Sequence, residues 1–387
     1  MDSVVLFDIK KERIDNNIVN VNNYLIKSTR AKILKCLKNI DLKLIILFTI
    51  IISNLYLIYL LKSINNFGGI FPDTYNSKTK KNYNSNNYIK AESIIKESFS
   101  IQKDFCDNPK KYLNLQYENM IKLTDFRFKN FYNKIYVYKE GDNYMSNFII
   151  RTKGYVVDEM TNFYDVLEYY RKTKNILNKK DVYMLDLGAN LGVYTSYFGY
   201  LGYTVVSFEA SPRNYYLLKK NHCQINRNAE NIIIINRGLS NKYKICNYYT
   251  QITGIGNGMI KCDEDREEFN NAGFHWKKSF EVPIIKLSDF IPYFVNKNLA
   301  LIKLDIEGSE ALVMQDAIEF ISKYHIPYIY SEFSLSMLSE HGNNPIEYIK
   351  LFIDNGYKVN KEGFFSQNFI SPEKVGNGNL YFTYYGN

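Results

Sequence analysis

The stretch Val182–Glu209 leaves this chain few folds to choose from. An apolar run of strand length, Val182–Leu187, leads into Asp186-Leu-Gly188-Ala-Asn190-Leu-Gly192. A helical segment, Val193–Gly202, follows, and then a second strand, Thr204–Phe208, that ends in Glu209. Strand, glycine loop, helix and strand make a βαβ unit, which binds a nucleotide-like ligand outside the carboxyl ends of its strands. The glycines let backbone approach the ligand, and the amides at the helix start offer donors. The loop reads G-x-N-x-G, not the G-x-G-x-x-G of a dinucleotide site. Asp186 would repel a pyrophosphate but suits a ligand carrying an amino group and a sulfonium. Glu209, 23 residues beyond Asp186, is placed to accept from both hydroxyls of a ribose. A helix from Pro212 to Asn221 and a third strand, Ile232–Ile235, come next, and Asn236–Ser240, with Gly238, is expected beside an adenine ring.

A second block carries the candidate chemistry. Ala300–Ile306 reads as the fourth strand. A period of two then puts Lys303, Asp305 and Glu307 on one face near its carboxyl end. Deprotonating an acceptor as it attacks calls for a carboxylate or a lysine of lowered pKa. Asp305 is therefore expected to orient the acceptor or face the cofactor, with Lys303 or Glu307 as base, although a plain ion pair fixing the loop fits the same residues. Glu310 falls near a helix start, where a carboxylate also complements the dipole. Glu332, after a fifth strand at Pro327–Tyr330, could face the same cleft, and His275 and His341 are secondary candidates. Gly254–Ile260 reads as a flexible loop. Helix Pro345–Asp354 and strands Tyr357–Asn360 and Leu380–Tyr385 close the domain, the two strands as an antiparallel edge hairpin.

These residues resemble the FkbM family of methyltransferases. The likeness lies in Leu185–Thr195 with Phe208–Ala210, in Leu301–Glu310, in the Leu287–Phe290 turn and in Ser331–Ser334, within roughly residues 181–345. It implies S-adenosylmethionine as cofactor and, usually, methyl transfer to a hydroxyl oxygen of a sugar or natural product. The expected architecture is a doubly wound, Rossmann-like α/β methyltransferase sheet. Asp186, Gly188, Asn190, Gly192, Glu209 and Gly238 are the expected cofactor residues, with no metal. An NAD-linked oxidoreductase is the first rival, and a non-catalytic binding module of the same fold the second.

Upstream, Leu44–Leu61 is an 18-residue run without a charge, bounded by Lys43 and Lys62. As a helix it would span about 27 Å, enough for a bilayer core. Arg30, Lys32, Lys35, Lys38 and Lys43 precede it closely, and only Lys62 follows closely. The positive-inside rule then keeps residues 1–43 in the cytoplasm and sends the rest into an endomembrane (ER or Golgi) lumen. The chain has no N-x-Ser/Thr acceptor site, which favours a cytoplasmic-facing domain instead. Residues 62–90 read as a stem, 91–180 as a lead-in packing on the catalytic domain, and 181–387 as the methyltransferase domain. A helix is expected over Phe163–Leu177. The net charge of +9 is scattered, so nucleic acid is not an expected partner. Cys106, Cys223, Cys246 and Cys262 follow the apolar run and can pair or stay as isolated thiols.

Overall fold

The computed structural model describes residues 85–154, 158–226, 230–271, 273–294 and 296–386. The expected membrane span at Leu44–Leu61, with its tail and most of the stem, lies outside the described residues. Among the described residues no helix is long and apolar enough to cross a membrane.

The chain runs through α1 (Ser85–Asp107), α2 (Leu115–Met120), the hairpin β1 (Ile121–Phe128) and β2 (Phe131–Tyr138), α3 (Met145–Thr152) and α4 (Asp158–Thr173). Then come β3 (Val182–Leu187), α5 (Val193–Tyr200), β4 (Thr204–Phe208), α6 (Pro212–Asn226) and β5 (Ile232–Ile235). A block of strands follows: β6 (Gly238–Leu239), β7 (Lys244–Gln251), β8 (Gly254–Lys261), β9 (Glu268–Asn271) and β10 (Phe274–Ile285). The rest is α7 (Ile291–Phe294), β11 (Asn298–Leu304), α8 (Glu310–Lys323), β12 (Tyr328–Phe333), α9 (Leu335–Glu340), α10 (Pro345–Ile353), β13 (Tyr357–Asn360) and β14 (Gly378–Tyr384).

Seven strands form the main sheet in the order β13-β14-β12-β11-β3-β4-β5. From β12 to β5 the neighbours are parallel, and β14 runs antiparallel between β12 and β13. Runs such as Ile232–Ile235 are buried throughout, as a parallel strand covered on both faces must be. On one face Leu185, Leu187, Val206, Ile302 and Leu304 pack with α8 and α10. On the other, Val182, Met184, Val205 and Leu301 share a core with Phe126, Val137, Phe163 and Leu167. The segment before residue 181 therefore supplies core to this sheet. A disulfide from Cys106 in α1 to Cys223 in α6 joins the two parts.

Three local expectations need correction. The fourth strand starts and stops two residues earlier, at Asn298–Leu304, which leaves Asp305 and Glu307 beyond it. The helix expected over Phe163–Leu177 spans Asp158–Thr173. The supposed loop Gly254–Ile260 is a strand, β8, paired antiparallel with β7 and stapled to it by Cys246–Cys262. Its glycines are there for close approach: a Cβ at Gly258 would lie 2.0 Å from the Tyr248 Oη. Strands β6 to β10 make a second sheet, in the order β6-β10-β7-β8 with β9 on β10.

Candidate active site

From β3 the chain continues to β4 and β5 on one side, while β11 and β12 lie on the other. The order reverses between β3 and β11, and the crevice at such a point is where open α/β sheets take ligands. A cleft of about 570 Å³ opens there, lined from β3 by Gly188, Ala189 and Asn190, from β4 by Glu209, and from β11 by Lys303, Asp305 and Glu307.

The β3 end is held by backbone. Gly188 has φ +82°, and a Cβ there would lie 1.8 Å from the Asp305 carbonyl oxygen, so the two strand ends can abut only at a glycine. Asn190, also left-handed at φ +50°, donates its amide to Glu209 Oε2 at 2.8 Å. Ser211 donates its amide to Glu209 Oε1 at 2.8 Å. Burial pushes the Glu209 carboxyl up to about 7 against these two amides. Asn190 Oδ1 is buried and accepts no hydrogen bond among the described residues. Past β5, Arg237 and Gly238 line the same end, and the Arg237 Nε is buried without a partner there.

Two expected cofactor residues sit behind the cleft wall. Gly192 packs under α6, where a Cβ would meet Leu218 Cδ1 at 2.1 Å. Asp186 is wholly buried and does not line the cleft. Its Oδ2 accepts from the Thr195 hydroxyl at 2.6 Å, and its Oδ1 lies 3.2 Å from Lys303 Nζ. Asp186 thus holds a lysine rather than facing an amino group of the ligand. The cause is its position within β3, where side chains point into the packed layer.

Lys303 is buried, donates to the Gly188 carbonyl at 3.0 Å, and lies 3.4 Å from Asp305 Oδ2. Burial alone would lower its pKa, but Asp305 and Asp186 outweigh it and hold the ammonium above the ordinary lysine value. An ammonium held in this way is a poor proton acceptor, so of the two expected bases the geometry favours Glu307.

Beyond β11 the period of two fails, because Glu307 takes a left-handed φ of +55°. The turn still returns Glu307 to the cleft beside Asp305. Burial, Asp305 and Glu310 push the Glu307 carboxyl up to about 8. Glu332, which lines the cleft, is raised chiefly by the Asp305 carboxylate and then by burial. Glu310 accepts from the Ile306 amide at 2.8 Å and closes the loop.

The histidines do not enter. His275 is outside the cleft, bonded to Asn270 at 2.9 Å and paired with Glu268 at 3.1 Å. His341 braces the Gly308 turn, its ring nitrogens 3.0 Å from the carbonyls of Met337 and Ile260. Among the described residues no His, Cys, Asp and Glu cluster is arranged to hold a metal. Sequence reasoning missed the third wall, in which Asn143, Tyr144, Asn147, Phe148 and Arg151 reach the cleft from the start and body of α3.

Residues 186–359 match the model of the methyltransferase FkbM domain. No curated protein matches the chain. Among solved structures, the cofactor-bound Rv0187 from MTB is 8% identical, with a TM-score of 0.32 over 60% of this chain and 83% of that one. Precorrin-6y C5,15-methyltransferase from Geobacter metallireducens GS-15 is 11% identical, with a TM-score of 0.29 over 57% and 88%. Magnesium protoporphyrin IX methyltransferase from Synechocystis PCC 6803, with bound SAH, is 11% identical, with a TM-score of 0.28 over 59% and 83%.

Proposed function

We propose, from the premise that this chain belongs over residues 186–359 to the FkbM methyltransferase family, that it methylates a hydroxyl oxygen using S-adenosylmethionine. The acceptor we infer is a glycan or another small hydroxyl-bearing molecule. One observation carries the reading: a single cleft at the switch point holds a backbone-fastened carboxylate, Glu209, at one end and the Asp305–Glu307 pair at the other.

The residues fit the donor. Each Glu209 oxygen accepts one backbone amide and keeps a lone pair for a ribose hydroxyl. The orphaned Asn190 Oδ1 is an acceptor awaiting a partner, and Gly188 and Gly238 line the cleft beside it. Bound there, S-adenosylmethionine supplies a methyl group on a sulfonium, whose sulfur keeps the C–S electron pair as the methyl leaves.

The protein's task is to place the hydroxyl and remove its proton. Glu307, with a carboxyl near 8, releases its own proton close to neutral pH and is then a base strong enough to take one from the acceptor. Asp305 stands beside it, paired with the Lys303 ammonium, and orients the hydroxyl. Lys303 in turn is held by Asp186. Transfer of labelled methyl to a hydroxyl acceptor, with release of S-adenosylhomocysteine, tests the reaction. A protein that binds NAD and not S-adenosylmethionine would sink it.

The same proposal includes a membrane anchor at Leu44–Leu61 and a catalytic domain in an oxidising lumen. The basic flank before the apolar run supports that orientation. So do the two disulfides, since such bonds persist in the secretory pathway and are rare in the cytosol. In sealed microsomes, protease should cut the Met1–Lys43 tail and spare residues 91–387. Cleavage of the large domain without detergent reverses the orientation.

A further inference from the structure

Strand β8 and helix α3 form one unit along the cleft. Asp142 is buried and caps α3, accepting from the Tyr144 amide at 3.3 Å and the Ser146 amide at 3.0 Å. Ile255 donates its amide to the Gly141 carbonyl at 2.7 Å, and Asn143 donates to Thr253 at 3.2 Å, so the start of α3 is laced to the β7–β8 hairpin. The alternating glycines make the fit possible. A Cβ at Gly254 would lie 2.9 Å from the Tyr144 ring, and one at Gly256 would lie 3.1 Å from Asp142 Oδ2.

Helical spacing then turns Tyr144, Asn147, Phe148 and Arg151 the same way, and all four line the cleft that holds Asp305 and Glu307. Tyr144 and Phe148 keep 42% and 43% of their surface open, large for aromatic rings in a cleft. Asn257 faces them from β8. Among the described residues the side-chain amides of Asn143, Asn147 and Asn257 make no hydrogen bond, and Arg151 has neither a hydrogen-bond nor an ion-pair partner. Asn143, Asn147 and Arg151 are exposed in this wall, so their polar atoms are free to exchange water for a polar ligand.

We propose that the α3–β8 wall is the acceptor subsite and that it takes a hydroxyl-rich ring bearing a carboxylate. The inference rests on the methyl-transfer reading of the cleft. Amides pair with ring hydroxyls as donor and acceptor at once. The two aromatic faces cover the C–H face of such a ring. The guanidinium matches a carboxylate in a two-bond fork. Charge also sets the direction of binding. Arg151 attracts an anion at the α3 end of the cleft and no cation is exposed beside Glu307, so the carboxylate lies toward α3 and a hydroxyl faces Glu307.

Saturation-transfer NMR on the full chain in detergent, with methyl β-glucuronide and methyl β-glucoside as probes, tests the assignment. Calorimetric titration of S-adenosylmethionine runs beside it. The wild type should bind the glucuronide about tenfold more tightly than the glucoside, the ratio expected of one charge-assisted contact. Arg151→Gln should erase that preference, and Arg151→Lys should keep part of it. Phe148→Ala should weaken both sugars alike. All three variants should bind S-adenosylmethionine as the wild type does. Equal binding of the two sugars, binding of neither, or a glucuronide preference that survives Arg151→Gln overturns the subsite. A wild type that binds glucuronide but no S-adenosylmethionine instead removes the methyl-donor reading.

Discussion

The two ends of the cleft hold their carboxylates by opposite means. Glu209 is fastened by the amides of Asn190 and Ser211, so its position follows from backbone that the sheet fixes. Asp305, Glu307 and Glu332 press on one another, with the buried Lys303 as the cation among them. A group held by amides is suited to binding, because its geometry is set before the ligand arrives. Crowded carboxyls are suited to chemistry, because each raises a neighbour's proton affinity, as at Glu307 and Glu332, and none is tied to backbone that fixes it for binding.

The largest expected effect is at the crowded end. Glu307→Gln keeps the shape and removes the base, so turnover should fall by about 10²–10⁴ while donor affinity stays within about twofold. A rate that still climbs through pH 8 in this variant would move the base to Glu332.

Next comes the lysine between the two ends. Lys303→Met leaves Asp186 buried without its cation, which should cost about 3–5 kcal/mol. For a domain of this size the melting temperature should drop by about 10 °C. Asp186→Asn in the same chain should recover most of the loss. Failure to recover would mean that Lys303 acts through Gly188 and Asp305 alone.

A smaller effect separates the ends by pH. A raised carboxyl pKa costs nothing below the unfolded value near 4.5, where both states are protonated. Stability is then lost as pH rises through the folded value, about 8 for Glu307. Melting temperature should therefore decline between pH 5 and 9. Glu307→Gln should flatten the decline by about 1–2 kcal/mol, less than the full shift implies because the group lines an open cleft. An unchanged slope would place that carboxyl in water.

Much of the binding end was legible in the sequence. Val182–Leu187, Thr204–Phe208 and Ile232–Ile235 are continuous apolar runs with clear loop signals after them, and the structure has strands at those positions. That Glu209 lines the cleft followed from its place after the second run. Asp186 did not, because nothing local says whether a carboxylate in a buried strand faces the ligand or the next strand's lysine. At the chemical end, a left-handed Glu307 defeats any argument from strand period. The α3–β8 wall was hidden for a different reason. Glycines at 254, 256 and 258 read as flexibility when the partners that require them, Tyr144, Asp142 and Tyr248, are set by pairing across the fold. The lead-in's place in the core is likewise a matter of distant contacts, as the Cys106–Cys223 bond shows with a separation of 117 residues.

That the two ends divide binding from chemistry is best tested by calorimetry of S-adenosylmethionine on the full chain in detergent. The wild type should bind one equivalent. Glu209→Ala, which deletes two hydrogen bonds to a charged group, should bind at least about tenfold more weakly while staying folded. Glu307→Gln should bind as the wild type does. A folded wild type that does not bind, or a Glu307→Gln loss as large as that of Glu209→Ala, would contradict the division.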